Sequence, residues 1–133
     1  MILFGIIVFA FIFLRITRSA EASPLTGPTF DIKPGVVVPD SAQAQQIINA
    51  VATVWKQYGY VPVITSGIDS EHIPTSLHYL GLAVDFRLHN IPEELRFEMI
   101  GAVRKILGAS YQVIWEDRGT SNEHLHIEYD PGS

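Results

Sequence analysis

The spacing of hydrophobic positions changes period several times along the chain, and each change marks an element. Ile47, Ile48, Val51, Val54, Trp55 and Tyr58 recur at helical spacing, which predicts a core helix with one broad apolar face. Pro39-Asp40-Ser41 opens it, with Asp40 as the expected cap, Gln43 as its reciprocal partner and Gly59 as the stop. Tyr60 to Thr65, YVPVIT, is β-branched and aromatic, which predicts a strand, with Pro62 at its start or on a sheet edge. Residues 67–78 form a polar loop. Leu82 to Leu88 then alternates, placing Ala83, Asp85 and Arg87 on one face and Val84 and Phe86 on the other.

A second helix follows. Asn90 is its expected cap, with Glu93 at the capping-box position. Leu95, Met99, Ala102, Val103 and Ile106 give the apolar stripe. Glu93 and Glu94 at the start, with Arg104 and Lys105 at the end, match the helix dipole, and Gly108 ends the run. Tyr111 to Glu116 reads as a third strand and residues 117–122 as a turn. His124 to Tyr129 alternates as a fourth, with His124, His126 and Glu128 facing one way and Leu125, Ile127 and Tyr129 the other. The order α, β, β, α, β, β predicts an α+β fold, a small, mainly antiparallel sheet packed with two helices.

The N-terminal end breaks this pattern. Residues 1–14, MILFGIIVFAFIFL, carry no charge, and Arg15 and Arg18 follow. We expect residues 1–18 to be a hydrophobic membrane anchor, with a cleaved signal ending near Ala20-Glu21-Ala22 as the alternative. Residues 19–35 read as a Pro/Gly-containing tether and residues 36–133 as the folded domain. Basic residues on the C-terminal side of the apolar run keep that side cytoplasmic in a cell. Display on a virion membrane would reconcile this with an outward-facing domain; secretion after signal cleavage is the other localisation.

The chain has 133 residues and a formal charge of −5. Arg15, Arg18 and Glu21 are the only charges in residues 1–30, so residues 31–133 carry −6. An acidic domain without a basic cluster is a poor partner for nucleic acid. Cysteine is absent, which excludes disulfides and thiolate metal sites. Any metal must be held by His, Asp or Glu.

Those residues occur in a suggestive pattern. His78 and Asp85 lie seven positions apart, and His126 sits on the last strand. Two imidazoles and a carboxylate suit Zn²⁺ and leave a position for water. Gly81 lets the backbone pass close, and Ala83 keeps the strand face clear. A base beside such a site would come from Glu123, His124 or Glu116, in that order of preference. Glu123 must then sit in the irregular turn ahead of the strand. His89 reads as an ordinary surface or core histidine.

The segment from Ser76 to Asp85, SLHYLGLAVD, resembles the S-x-H-x-x-G-x-A-x-D signature of zinc D-Ala-D-Ala carboxypeptidases and related peptidoglycan peptidases. Glu123-His124-Leu125-His126 resembles their second motif, and Ser66-Gly67 sits where those proteins carry S-G-x-R-S. The resemblance covers roughly residues 40–130. It implies the Hedgehog/DD-peptidase fold, zinc held by His78, Asp85 and His126, Glu123 as catalytic base, and a site role for His124. It also implies cleavage of peptidoglycan stem peptides, as a carboxypeptidase or as an endopeptidase of lysin type. One position departs: Asp69 stands where those enzymes have Arg. A phage-type subgroup with D-x-x-H in this loop is the nearer match, which gives Asp69 and His72 substrate-lining roles beside Ser76. Arg87, on the strand face of Asp85, is a candidate replacement cation, and Arg118 in the turn is another. The rival reading is a non-catalytic, zinc-stabilised wall-binding domain.

Overall fold

The computed structural model describes residues 27–69 and 75–132. In chain order the elements are β1 (Asp31–Ile32), α1 (Ala42–Gln57), β2 (Val63–Ser66), β3 (Ala83–Arg87), α2 (Glu93–Leu107), β4 (Tyr111–Glu116) and β5 (His124–Tyr129). The five strands form one sheet in the order β1-β2-β3-β5-β4. The β1–β2 pair is parallel and the other three are antiparallel. The expected α+β class is therefore observed, with a mixed sheet. The expected anchor over residues 1–18 lies outside the described residues. Among the described residues no helix is long and apolar enough to cross a membrane.

The alternation in the strands decides which face is covered. Ile64, Val84, Phe86, Val113, Leu125 and Ile127 all point to one side and join a single core with both helices. From α1 that core takes Ile47, Ile48, Val51, Val54 and Trp55; from α2 it takes Met99, Ile100 and Val103. Phe86 is fully buried, and a side chain of that size contributes about 3 kcal/mol through burial alone. The opposite face carries Asp85, Arg87, His126 and Glu128 and stays open as a cleft of about 930 Å³.

Both helix starts differ from expectation. Ser41, not Asp40, caps α1: its Oγ accepts from the Ala44 amide at 3.0 Å and donates to the Gly81 carbonyl at 2.6 Å. A hydroxyl can do both, whereas a carboxylate only accepts. This bond ties the head of α1 to the loop that carries His78. At α2 the cap position is Pro92, with no side-chain cap bond, rather than Asn90. A proline disfavours helical backbone in the residue before it, so Ile91 cannot be helical and the helix waits for Glu93. Ile106, expected on the buried stripe, is 54% exposed.

The remaining differences lie in the sheet. The strand expected over Tyr60–Thr65 runs from Val63 to Ser66. Asp31–Ile32, inside the stretch expected as tether, pairs alongside it as β1. Strand β4 is a free edge, and the Arg104 guanidinium donates two hydrogen bonds, at 3.1 and 2.8 Å, to the Val113 carbonyl there.

Candidate metal centre

The register of β3 against β5 puts Asp85 directly opposite His126. His78 arrives from the loop before β3, where the Gly81 amide bonds the His78 carbonyl at 2.9 Å. Gly81 has φ +70, a left-handed conformation that glycine adopts without strain. Three atoms converge. His126 Nδ1 lies 2.7 Å from Asp85 Oδ1, His78 Nε2 lies 3.4 Å from the same oxygen, and the two ring nitrogens are 3.3 Å apart. These three residues could hold a metal ion. Ligand atoms around a tetrahedral ion with bonds near 2 Å stand about 3.3 Å apart. Two of the three spacings already match, and the shorter one is the hydrogen bond that a metal would replace.

Each histidine is oriented from behind. His78 Nδ1 donates to the Gly67 carbonyl at 3.0 Å, which leaves Nε2 facing the centre. His126 Nε2 donates to Glu128 Oε2 at 2.9 Å, which leaves Nδ1 facing it. Such outer partners fix tautomer and ring angle. The Gly67 carbonyl is placed by an unusually close backbone approach: a Cβ on residue 67 would lie 2.1 Å from the Val37 carbonyl oxygen. The Ile68 amide bonds that same oxygen at 3.1 Å.

The electrostatics favour a charged, proton-filled pair when no metal is bound. Burial works against ionisation of Asp85, but hydrogen bonds from His126 and His78 outweigh it and hold the carboxyl well below the usual carboxylate range. Burial likewise disfavours a charged His126, yet Asp85 and Glu128 outweigh it and push the imidazolium pKa up to about 9.

The other candidate residues are placed differently. His124 lies on the cleft face, with Nε2 3.0 Å from Glu116 Oε2 and 3.8 Å from Asp85 Oδ2. Its Nδ1 donates to the Asn122 carbonyl at 2.6 Å. Glu123 does precede β5, as required, and reaches the cleft wall. Its Oε1, however, accepts from Trp115 Nε1 at 2.6 Å and from Arg96 Nη1 at 3.1 Å, on the helix side of the sheet. Burial raises its pKa, but these donors and the Arg96 charge outweigh that and lower it. Glu123 does not belong to the group of mutually close ligand atoms. Asp69 Oδ1 accepts from the Val37 amide at 2.7 Å and the Gly67 amide at 3.2 Å, so it braces the loop under His78. Ser76 Oγ accepts from the His78 amide at 3.3 Å and lines the cleft, as does Arg87. His72 lies outside the described residues. Arg118 stacks on Trp115, 3.8 Å from the ring centroid, so it is engaged away from the metal-ligand group.

Two cleft residues lie outside the expected site set. Glu128 shares the His126 face by simple alternation, which was the available signal. Lys33 lines the cleft from beyond β1, and a two-residue strand gives no periodic signal. No protein-family model matches the chain, and no curated protein matches it.

Proposed function

We propose that the protein is a zinc-dependent peptidase of the Hedgehog/DD-peptidase type, acting on peptidoglycan stem peptides. The observation that carries this reading is the convergence of His78 Nε2, Asp85 Oδ1 and His126 Nδ1 on the open face of the sheet, with two of their three spacings near the tetrahedral value. Two imidazoles and one carboxylate are a zinc donor set with room for a further ligand. When bound, zinc supplies Lewis acidity toward a peptide carbonyl and acidifies a water molecule.

The chain's own residues do the rest. Gly67 and Glu128 hold the two imidazoles in the required tautomers. His124, whose Nδ1 donates to the Asn122 carbonyl, is our candidate to take and return a proton at Nε2, where Glu116 lies 3.0 Å away. Glu123, the family's base position, anchors the turn into β5 through Trp115 and Arg96. The uncharged run over residues 1–14 supports a membrane-tethered enzyme of the cell envelope or of a virion membrane.

The second reading, a zinc-stabilised wall-binding domain, is favoured by one observation: the Glu123 carboxylate is already committed to Trp115 and Arg96. Incubation of purified cell walls with zinc-loaded protein separates the two. Muropeptide release by wild type, abolished in His126→Ala and reduced about 100-fold in His124→Gln with zinc content intact, is expected for the enzyme. Wall binding without release would establish the binding domain instead.

A further inference from the structure

Val37, Ile68, Tyr79 and Leu80 are large hydrophobic side chains left in solvent, Leu80 by 68%. They come from three segments that are bonded to one another. The Ile68 amide bonds the Val37 carbonyl, and Asp69 accepts from the Val37 amide. The residue before Ile68, Gly67, offers its carbonyl to the His78 ring at 3.0 Å. From His78 the chain turns tightly: the Tyr79 amide bonds the Ser76 carbonyl at 3.2 Å, and the Leu82 amide bonds the Leu77 carbonyl at 2.9 Å. A Cβ on Gly81 would stand 3.6 Å from the Pro39 Cβ, so this turn rests against the segment that carries Val37. Apolar residues scattered singly over a surface need no explanation, but a group on adjoining, braced loops marks an interaction surface.

The chain that leads into the patch says what covers it. Residues 1–14 carry no charge, and on the reading above they sit in a membrane. The twelve residues 15–26 span at most about 40 Å when extended. The chain then enters the described fold at Gly27 and passes through β1 to Val37, so the tether runs into the patch itself. A link of that length holds the patch near lipid at an effective concentration on the order of millimolar, so weak apolar contacts suffice. Tyrosine beside aliphatic side chains suits the boundary between headgroups and acyl chains. Asp40 and Asp69, both exposed, flank the patch within the same segments, and residues 31–133 carry −6. That charge disfavours an anionic surface and leaves a zwitterionic one. Phe97 is 75% exposed as well, but it lies on α2 against the β4 edge, at the far side of the sheet from β1.

We infer that Val37, Ile68, Tyr79 and Leu80 form a docking surface for the zwitterionic face of the membrane that holds the chain. This rests on the membrane-tethered reading. The four side chains enter the boundary layer to a depth of about 5–10 Å. The metal cleft then opens beside the bilayer, because Ser76, Leu77 and His78 line it from the same loop.

The chain has no cysteine, so a single introduced one can carry a nitroxide label. Full-length Leu80→Cys and Phe97→Cys are labelled and reconstituted into phosphatidylcholine vesicles. Relaxation of each label by oxygen, which concentrates in lipid, is compared with relaxation by a water-soluble nickel complex. The oxygen-to-nickel ratio is expected to be about threefold higher at position 80 than at position 97. A label at Val37→Cys should show the same excess and lose it when Ile68→Ser, Tyr79→Ser and Leu80→Ser are added. Equal ratios at positions 80 and 97 overturn the docking surface, as does a Val37→Cys label that ignores the three serines. Circular dichroism matching wild type shows that each variant is folded. Flotation of the vesicles separates the two readings. Protein that fails to float with them refutes the tether and the docking together, whereas floated protein with a water-exposed label at position 80 refutes the docking alone.

Discussion

Asp85 and Glu123 are both buried carboxylates held in the charged form and both border the cleft, yet they keep different company. Asp85 is held by His126 and His78. Both are imidazoles, which can surrender a proton and turn the same nitrogen into a metal ligand. Glu123 is held by the Trp115 indole and the Arg96 guanidinium. Neither can exchange its proton for a metal. The carboxylate itself decides little; the replaceability of its donors separates a centre that can be filled from a fixed structural bond.

Four measurements would break or sharpen this contrast. Asp85→Asn should weaken zinc binding about a thousandfold, by roughly 4 kcal/mol, in a competition assay with a chelating dye. An unchanged affinity would remove Asp85 from the centre. Arg96→Ala removes the cation beside Glu123 and leaves Trp115 as its side-chain donor, and urea denaturation should show about 2 kcal/mol of lost stability. Zinc affinity should change less than about threefold there; a large change would join the two carboxylates into one unit.

The third measurement is pH. His126 has its folded pKa raised to about 9, so the stability it adds is present below its unfolded pKa of about 6.5 and is lost as pH rises toward 9. Asp85 is shifted downward, so its stabilisation holds above about pH 4 and fades as acid protonates it. The metal-free protein should therefore be most stable between about pH 4 and 6.5, losing about 3 kcal/mol by pH 9. Zinc has to displace the His126 proton, so its affinity should climb by up to about tenfold per unit over that same rise. Affinity independent of pH would mean that His126 is no ligand. The smallest effect belongs to Glu128→Gln, which keeps a hydrogen-bond acceptor for His126 but removes the charge. About tenfold weaker zinc binding is expected.

Two of the three residues in the candidate metal group, Asp85 and His126, were legible through periodicity, whereas His78 lies in a loop that has none. The alternation in Ala83–Arg87 and His124–Tyr129 put Asp85 and His126 on a shared face before any register was known, and the register then set them opposite each other. The fold class followed from the same alternation and the two helical stripes. What stayed hidden depended on contacts without a period. Ser41 caps α1 because its hydroxyl also meets the Gly81 carbonyl, forty residues away. The hydrogen bonds that engage one oxygen of each of two acidic candidates had no sequence signal either: backbone amides donate to Asp69 Oδ1, and Trp115 and Arg96 donate to Glu123 Oε1. A motif names a residue's position; only packing says whether its oxygen atoms are free.

Strand β4 ends the sheet on one side, and its pairing with β5 turns the backbone of Val113 outward. An outward carbonyl at such a border is an invitation to a stray β-segment, the first step toward fibrils. Arg104 occupies that carbonyl with both arms of its hydrogen-bonding fork. Another copy of the chain that meets this edge finds that carbonyl already taken, so this one arginine denies it a place to start stacking.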